Sequence, residues 1–217
     1  MIVESVDTPA GEARITWHPA ARPHLLIALG HGAGGGIEAR DLQALAAALP
    51  PLGVGVALVE QPWRVAGRKV APAPKTLDTG WRAVWPALRR PGLPVVAGGR
   101  SAGARVACRT AGELGARGVL ALSFPLHPPG KPEKSRQREL TGAGVGTLVV
   151  QGERDPFGKP AEFPGAAEFT AGDFELVGVA DADHGFAVPK RAATGQEQAL
   201  KTITDAVAGW AVRLREC

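Results

Sequence analysis

Short apolar runs recur along the 217 residues, and most are followed by turn residues and then by an amphipathic stretch. Near the start, 2–8 ("IVESVDT") and 12–18 ("EARITWH") alternate apolar and polar residues, so "PAGE" between them predicts a hairpin. The later runs are mostly continuous, which is typical of strands buried on both faces. These runs predict six further strands, at 24–29, 54–60, 93–99, 118–124, 146–152 and 173–179.

Helical spacing of apolar residues separates most of these runs. It predicts helices at 37–49, 102–114 and 196–215, and a weaker helix at 77–89 that Pro86 interrupts. Strands that alternate with helices favour an α/β fold, with a mostly parallel sheet of about eight strands and helices on both faces.

The length favours one domain, 1–217, because a chain of this size buries a single sizeable core. About twenty residues separate the predicted strands at 118–124 and 146–152, roughly the length of a loop or short helix. We therefore expect no lid domain.

Composition excludes several classes of protein. Hydrophobic residues make up 45% and charged residues 21%, as in ordinary globular proteins. No apolar run approaches the ~20 residues that span a bilayer, and the first residues lack the pattern of a signal peptide. Two cysteines, Cys108 and Cys217, form no disulfide framework or metal motif. These features favour a cytoplasmic protein without metal, cofactor or membrane association.

The net charge of +4 is concentrated in two segments, 60–75 and 127–138, and each carries four Lys or Arg against one acid. They could be two solvated loops or could attract an acidic partner. Nucleic-acid binding is not expected, because there is no tyrosine and no recognisable binding motif.

The stretch 97–106, "AGGRSAGARV", sets one of only four serines between glycines. A G-x-S-x-G motif also arises by chance in a chain with 29 glycines, so its context matters. Here Gly99, Ser101 and Gly103 lie between a predicted strand and a predicted helix. That is the context of a nucleophile elbow, a turn too tight for larger flanking residues.

A serine hydroxyl is a weak nucleophile, so it needs a base, and the base needs an orienting acid. His184 in "DADHGF" follows the last predicted strand, and Asp155 in "QGERDPFG" follows the strand before it. The order Ser101, Asp155, His184 is that of an α/β hydrolase. Asp181 or Asp183 could orient His184 instead, and Asp155 could be only a turn former.

The loop "LGHGAGGG" supports a second hypothesis. Gly30, Gly32 and Gly35 fit G-x-G-x-x-G, and Glu60 ends the next strand, as in dinucleotide-binding proteins. The same loop also fits the oxyanion loop of an α/β hydrolase. The serine, acid and histidine elsewhere favour the hydrolase.

The oxyanion hole is predicted to combine the backbone N–H groups of Ala102 and Ala33, with Gly34 as the alternative to Ala33. His31 could pass for a second base, but we interpret it as shaping this loop beside the substrate.

The sequence resembles a group of compact α/β hydrolases that includes testis-expressed protein 30 and relatives of NSL complex subunit 3. The most specific element is "FPLHPPGKPEKSR" at 124–136, and "QGERDPFG" and "DADHGF" are similar to the acid and histidine motifs of that group. Ala102 stands where relatives often carry Met, which makes the wall beside the serine smaller. The resemblance implies the fold and the triad, but no substrate, and some relatives are scaffold subunits.

The favoured hypothesis is a serine hydrolase that cleaves a small soluble ester or thioester through an acyl-enzyme. Four cations after predicted strands are expected to attract an anionic substrate: Arg64, Arg68, Lys131 and Lys134. The alternative is a catalytically idle interaction module whose proline-rich 124–136 segment contacts a protein partner.

Overall fold

A computed structural model describes residues 2–89, 93–169 and 171–216. Its centre is one eight-stranded sheet in the order β1-β2-β4-β3-β5-β6-β7-β8. β2 runs antiparallel to both of its neighbours, and every other pairing in the sheet is parallel. The strands match the eight predicted from the sequence: β1 (Ile2–Thr8), β2 (Gly11–His18), β3 (Leu25–Gly30), β4 (Val54–Glu60), β5 (Val95–Arg100), β6 (Val119–Leu122), β7 (Thr147–Gly152) and β8 (Phe174–Val179).

The helices lie on both faces of this sheet. They are α1 (Arg40–Ala48), α2 (Pro62–Val65), α3 (Pro74–Leu88), α4 (Ala102–Leu114), α5 (Gln137–Thr141) and α6 (Gln196–Glu216). Four 3₁₀ turns lie in the connecting segments, at Pro50–Leu52, Pro132–Lys134, Pro160–Glu162 and Ala166–Glu168. Within the described ranges, no helix has both the length and the apolar character to cross a membrane.

Two hydrophobic clusters hold these layers together. In β3, Leu26 and Ala28 join the cluster under α3 and α4, whereas Leu25, Ile27 and Leu29 join the cluster under α1 and α6. Successive strand side chains point to opposite faces, so a strand covered on both sides must be apolar throughout. This explains the continuous apolar runs in the sequence.

The predicted interruption at Pro86 is wrong, because α3 continues through it to Leu88. A proline lacks the N–H that would bond the carbonyl four residues earlier, here that of Arg82. Arg82 is exposed, so we infer that water can hydrate that carbonyl. Trp81 and Trp85 are buried in the core and hold the helix against the sheet.

The segment between β6 and β7 contains only a 3₁₀ turn and the five-residue α5, so the described residues form no lid domain. Ion pairs fasten it to the adjacent helices. Arg105 and Arg109 of α4 bond Glu139 of α5 at 2.6 and 2.9 Å, and Arg109 also bonds Asp78 of α3 at 2.6 Å. These partly buried pairs clamp α3, α4 and α5 together.

Candidate active site

Ser101 lies at a sharp turn between the end of β5 and the start of α4. Its backbone has φ 53° and ψ −112°, a region that side-chain-bearing residues rarely adopt. Such strain is characteristic of functional sites that the surrounding structure holds in place. The turn therefore has the strand-to-helix geometry of a nucleophile elbow.

The flanking glycines let this turn pack against the end of β3. A Cβ atom on Gly99 or on Gly103 would lie 2.5 Å from the carbonyl oxygen of Gly30. A Cβ on Gly32 would lie 3.3 Å from the Cβ of Ser101. Close approach to the elbow thus accounts for Gly32 of the G-x-G-x-x-G pattern, whereas a Cβ on Gly30 would lie an ordinary 3.5 Å from its nearest neighbours.

The dinucleotide hypothesis also requires a helix that begins at the glycine loop, so that its N-terminus meets a pyrophosphate. The next helix begins only at Arg40, well beyond Gly30, Gly32 and Gly35. The loop lies instead against the nucleophile elbow. This arrangement favours the oxyanion-loop interpretation.

The structure brings the serine, the histidine and the acid into one hydrogen-bonded line. His184 Nε2 lies 3.0 Å from Ser101 Oγ, and His184 Nδ1 lies 2.7 Å from Asp155 Oδ2. An ionised carboxylate only accepts, so Nδ1 carries a proton and Nε2 is free to accept the serine hydroxyl. This is the geometry that activates a serine.

Asp155 is held from several sides at the end of β7. Its Oδ2 accepts bonds from His184 and from Gln151 Nε2 at 2.8 Å, and its Oδ1 accepts the N–H of Phe157 at 2.8 Å. Gln151 also donates to the carbonyl of Gly158 at 2.8 Å. Gln151 was not predicted as a site residue, although a glutamine directly after the apolar run 148–150 is an available signal.

The other two carboxylates near His184 are used elsewhere. Asp183 accepts the N–H groups of Gly185 and Ala187 at 2.8 Å each. Asp181 accepts the N–H of Thr194 at 3.4 Å. Both therefore shape the loop that carries His184, and the carboxylate on the imidazole is that of Asp155.

Arg100, which was also not predicted as a site residue, joins the elbow to the histidine loop. Its Nη2 donates to the carbonyl of His184 at 2.6 Å, and its Nε donates to Asp41 Oδ2 at 3.2 Å. Burial raises the pKa of Asp41, and the nearby guanidinium opposes that shift. The ring centroids of Phe157 and His184 lie 4.3 Å apart, so Phe157 packs against the imidazole.

The predicted oxyanion donors Ala33 and Ala102 line the same small cavity. Ala102 is the first residue of α4, so its N–H has no acceptor within the helix. Ala33 and Gly34 both lie on the exposed part of the loop. The geometry is compatible with the predicted oxyanion hole, and the choice between Ala33 and Gly34 stays a prediction.

His31 lies under this loop and is only 3% exposed. Its Nε2 accepts the N–H of Gln61 at 3.0 Å, and its Nδ1 donates to the carbonyl of Gly32 at 2.9 Å. Its ring also packs near that of Trp63. With both ring nitrogens paired inside the protein, His31 fits the loop-shaping interpretation.

A pH dependence of stability follows from His31. Burial lowers its pKa below the ordinary value of 6.5, so the folded protein favours the neutral ring. The contribution of His31 is therefore present above pH 6.5 and is lost as the pH falls further. We expect the His31→Gln variant to lose less free energy of unfolding than the wild type between pH ~7.5 and ~5.5.

Urea unfolding at the two pH values measures this difference, because glutamine at position 31 can still accept a hydrogen bond but does not titrate. Equal losses in the two proteins would mean that His31 does not carry the dependence.

The structure does not bring the four predicted substrate-binding cations together. Arg64 pairs with Glu38 at 3.2 Å, and Arg68 lines a separate cavity beside the β1–β2 turn. Lys131 and Lys134 lie in an exposed stretch of the segment after β6. Attraction of an anionic substrate by these cations stays a prediction. Separately, the described residues contain no cluster of side chains suited to a metal ion.

The sheet order, the elbow and the Ser–His–Asp line together define the class of α/β hydrolases. The family model described as an α/β hydrolase domain matches residues 22–212, and the chain belongs to that family. No curated protein matches the sequence significantly.

Three solved structures illustrate the similarity of the fold. A serine hydrolase without a lid from Xanthomonas campestris is 19% identical, with a TM-score of 0.71 over 96% of this chain and 94% of that one. Est1E from Butyrivibrio proteoclasticus is 15% identical, with a TM-score of 0.74 over 98% of each chain. Dienelactone hydrolase from Anabaena variabilis is 15% identical, with a TM-score of 0.72 over 98% of this chain and 96% of that one.

Proposed function

We propose that the protein is a serine hydrolase that cleaves a small ester or thioester through an acyl-enzyme intermediate. The observation that carries this proposal is the 3.0 Å contact between Ser101 Oγ and His184 Nε2, with Asp155 on the other side of the ring. A serine at a strained elbow with an aligned base has the arrangement of an activated nucleophile.

In the first half of the reaction, Ser101 Oγ attacks the acyl carbon while its proton passes to His184 Nε2. Asp155 stabilises the imidazolium, and the N–H groups of Ala102 and Ala33 bind the oxyanion. The bond to the leaving oxygen or sulfur then breaks, and His184 returns the proton to that atom. A water molecule then attacks the acyl-enzyme in the same way, with His184 as base. This step releases the acid and restores the serine.

Two comparisons support the substrate class. Among the structural neighbours are a dienelactone hydrolase and a serine hydrolase without a lid, and we extend hydrolysis of small esters to this chain on that basis. The motifs at 124–136, 151–158 and 181–186 support closer kinship with the testis-expressed protein 30 group. Esters and thioesters are favoured over amides, because nothing in the sequence suggests a peptide-binding subsite.

Labelling with a fluorophosphonate probe tests the proposal, because the probe reacts with an activated serine. We expect the purified wild type to be labelled, and the Ser101→Ala and His184→Ala variants to remain unlabelled. Ser135→Ala is the matched control, since Ser135 lies on the exposed segment and its Oγ accepts the N–H of Gln137. This control is expected to label like the wild type.

Absence of labelling in the folded wild type would instead favour an interaction module. The observation behind that second candidate is the exposed stretch 129–135, which carries two prolines and two lysines. To test this candidate, binding of a protein partner is measured for the wild type and for a variant with Lys131 and Lys134 replaced by glutamate. The candidate predicts that the variant no longer binds the partner.

A further inference from the structure

The phenyl ring of Phe157 lies over the imidazole of His184. The two ring centroids are 4.3 Å apart, and the ring planes are tilted by 33°. This tilt excludes an edge-to-face arrangement, and rings that lie side by side in one plane would be further apart. The imidazole therefore faces the flat side of the phenyl ring, which limits its movement in that direction.

The face of an aromatic ring also attracts a cation, because the π electrons give that face a partial negative charge. In the proposed reaction, His184 changes from a neutral ring to an imidazolium when the hydroxyl proton of Ser101 reaches Nε2. The side chain of His184 is only 22% exposed, so water screens the attraction weakly. The contact is therefore stronger in the transition state than before the proton transfer, which is what accelerates a reaction.

The backbone of Phe157 is fixed by hydrogen bonds on both of its sides. Its N–H donates to Asp155 Oδ1 at 2.8 Å, and its carbonyl accepts the N–H of His127 at 3.0 Å. The same residue thus supports the acid through its main chain and faces the base through its side chain.

The 124–136 segment holds this loop in place through further contacts. The imidazole of His127 lies 3.1 Å from Glu162 Oε1, on the 3₁₀ turn that follows the acid loop. The ring of Phe124 packs edge-on against that of Phe163, with centroids 6.5 Å apart. Both contacts restrict the position of the loop and, with it, that of the phenyl ring over the base.

We propose that Phe157 is a positioning residue for His184: its ring face keeps the imidazole in line with Ser101 and attracts the imidazolium that forms during proton transfer. This inference rests on the proposed function and adds a residue to the same site.

The Phe157→Leu variant keeps an apolar side chain but lacks the aromatic face. We expect kcat and kcat/KM for 4-nitrophenyl acetate to fall equally, by about tenfold, with KM unchanged, because an interaction made only in the transition state has this signature. A rise in KM at unchanged kcat would mean that Phe157 acts by contacting the substrate, and it would overturn the inference.

Phe169→Leu is the matched control for this substitution. Phe169 is also half-buried and stacks on another ring, that of Phe174, with centroids 4.0 Å apart. This variant should keep the kcat of the wild type. An equal fall in kcat in both variants would count against a specific role of Phe157.

Fluorination of the Phe157 ring separates the attraction of charge from packing. Phenylalanines with one, two or three ring fluorines are similar in size, but each fluorine withdraws negative charge from the ring face. We expect kcat to fall with each added fluorine, to about a tenth of the wild-type value with three. The same series in place of Phe169 should leave kcat constant, and circular dichroism checks the fold. A constant kcat across the series at Phe157 would overturn the inference, even if Phe157→Leu is slow.

Fluorophosphonate labelling distinguishes failure of this inference from failure of the proposed function. A wild type that labels and hydrolyses the ester, but is insensitive to fluorination of Phe157, would overturn only the role of Phe157. A folded wild type that neither labels nor hydrolyses the ester above the Ser101→Ala background would overturn the proposed hydrolase, and the role of Phe157 with it.

Discussion

The Asp155→Asn variant is expected to lose about four orders of magnitude in kcat while it remains folded. The fully buried carboxylate determines which nitrogen of His184 carries the proton. An amide that donates to Nδ1 places the proton on Nε2, and that nitrogen can no longer accept the hydroxyl of Ser101. The loss therefore arises from the wrong tautomer.

The surroundings of Asp155 leave an asparagine no satisfactory orientation. With its amino group on the histidine side, it faces the donating Nε2 of Gln151 as well as the imidazole. With its amino group on the other side, it faces the donating N–H of Phe157. Either orientation loses a hydrogen bond, so we expect a modest loss of stability of about 1–3 kcal/mol in addition to the loss of activity.

Steady-state hydrolysis of an activated acetate ester measures the effect, and circular dichroism checks the fold. Asp183→Asn is the matched control, because asparagine can keep its oxygen on the N–H groups of Gly185 and Ala187. That variant should retain kcat within about tenfold. If the two substitutions reduced kcat equally, the orienting role of Asp155 would be refuted.

The Gly103→Ala variant is expected to be strongly destabilised. An added methyl group would lie 2.5 Å from the oxygen and 2.6 Å from the carbon of the Gly30 carbonyl, and neither backbone atom can move aside alone. Overpacking of this kind costs about 3 kcal/mol of unfolding free energy. For a chain of this size, Tm falls by roughly 6–12 °C. Hydrolysis should fall as well, because β3 leads directly into the oxyanion loop.

Gly112→Ala, in the same helix, is the control for helix propensity. Its added Cβ would meet only the carbonyl oxygen of Ala143 at 3.4 Å, which is an ordinary contact. Alanine is the better helix former, so this variant should keep or gain up to about 1 kcal/mol. Differential scanning calorimetry compares the two. Similar Tm values for both variants would mean that the close approach to Gly30 is not required.

The sequence revealed those parts of the fold that depend on local pattern. The inner strands were predictable because sheet burial on both faces imposes apolar runs, and β3 shows this with Leu25 to Leu29. β1 and β2 were predictable from their alternating apolar and polar residues. The proximity of Ser101, Asp155 and His184 was predictable because each follows a strand end, and parallel strands bring these ends to one edge.

Long-range pairing was not predictable in the same way. Arg100 is one arginine among many in the sequence, and only the fold shows that it bridges Asp41 and the His184 carbonyl. The scattering of Arg64, Arg68, Lys131 and Lys134 likewise depends on where the loops point. Pro86 was misjudged because its sequence position does not show whether tertiary packing holds the helix together, and here the buried Trp81 and Trp85 pack α3 against the sheet.

The placement of the three site residues at the ends of β5, β7 and β8 has a consequence for biosynthesis. In the part of the chain that the structure describes, β8 is an edge strand that pairs with β7, and the N–H of Glu153 bonds the carbonyl of Val179 at the base of the histidine loop. Ser101 emerges from the ribosome long before His184, and the turn that carries it has no base until the last strand is in place. If Ser101 is the nucleophile of the proposed hydrolase, we expect the growing chain to carry an inert serine that becomes reactive only when the end of the sheet is complete.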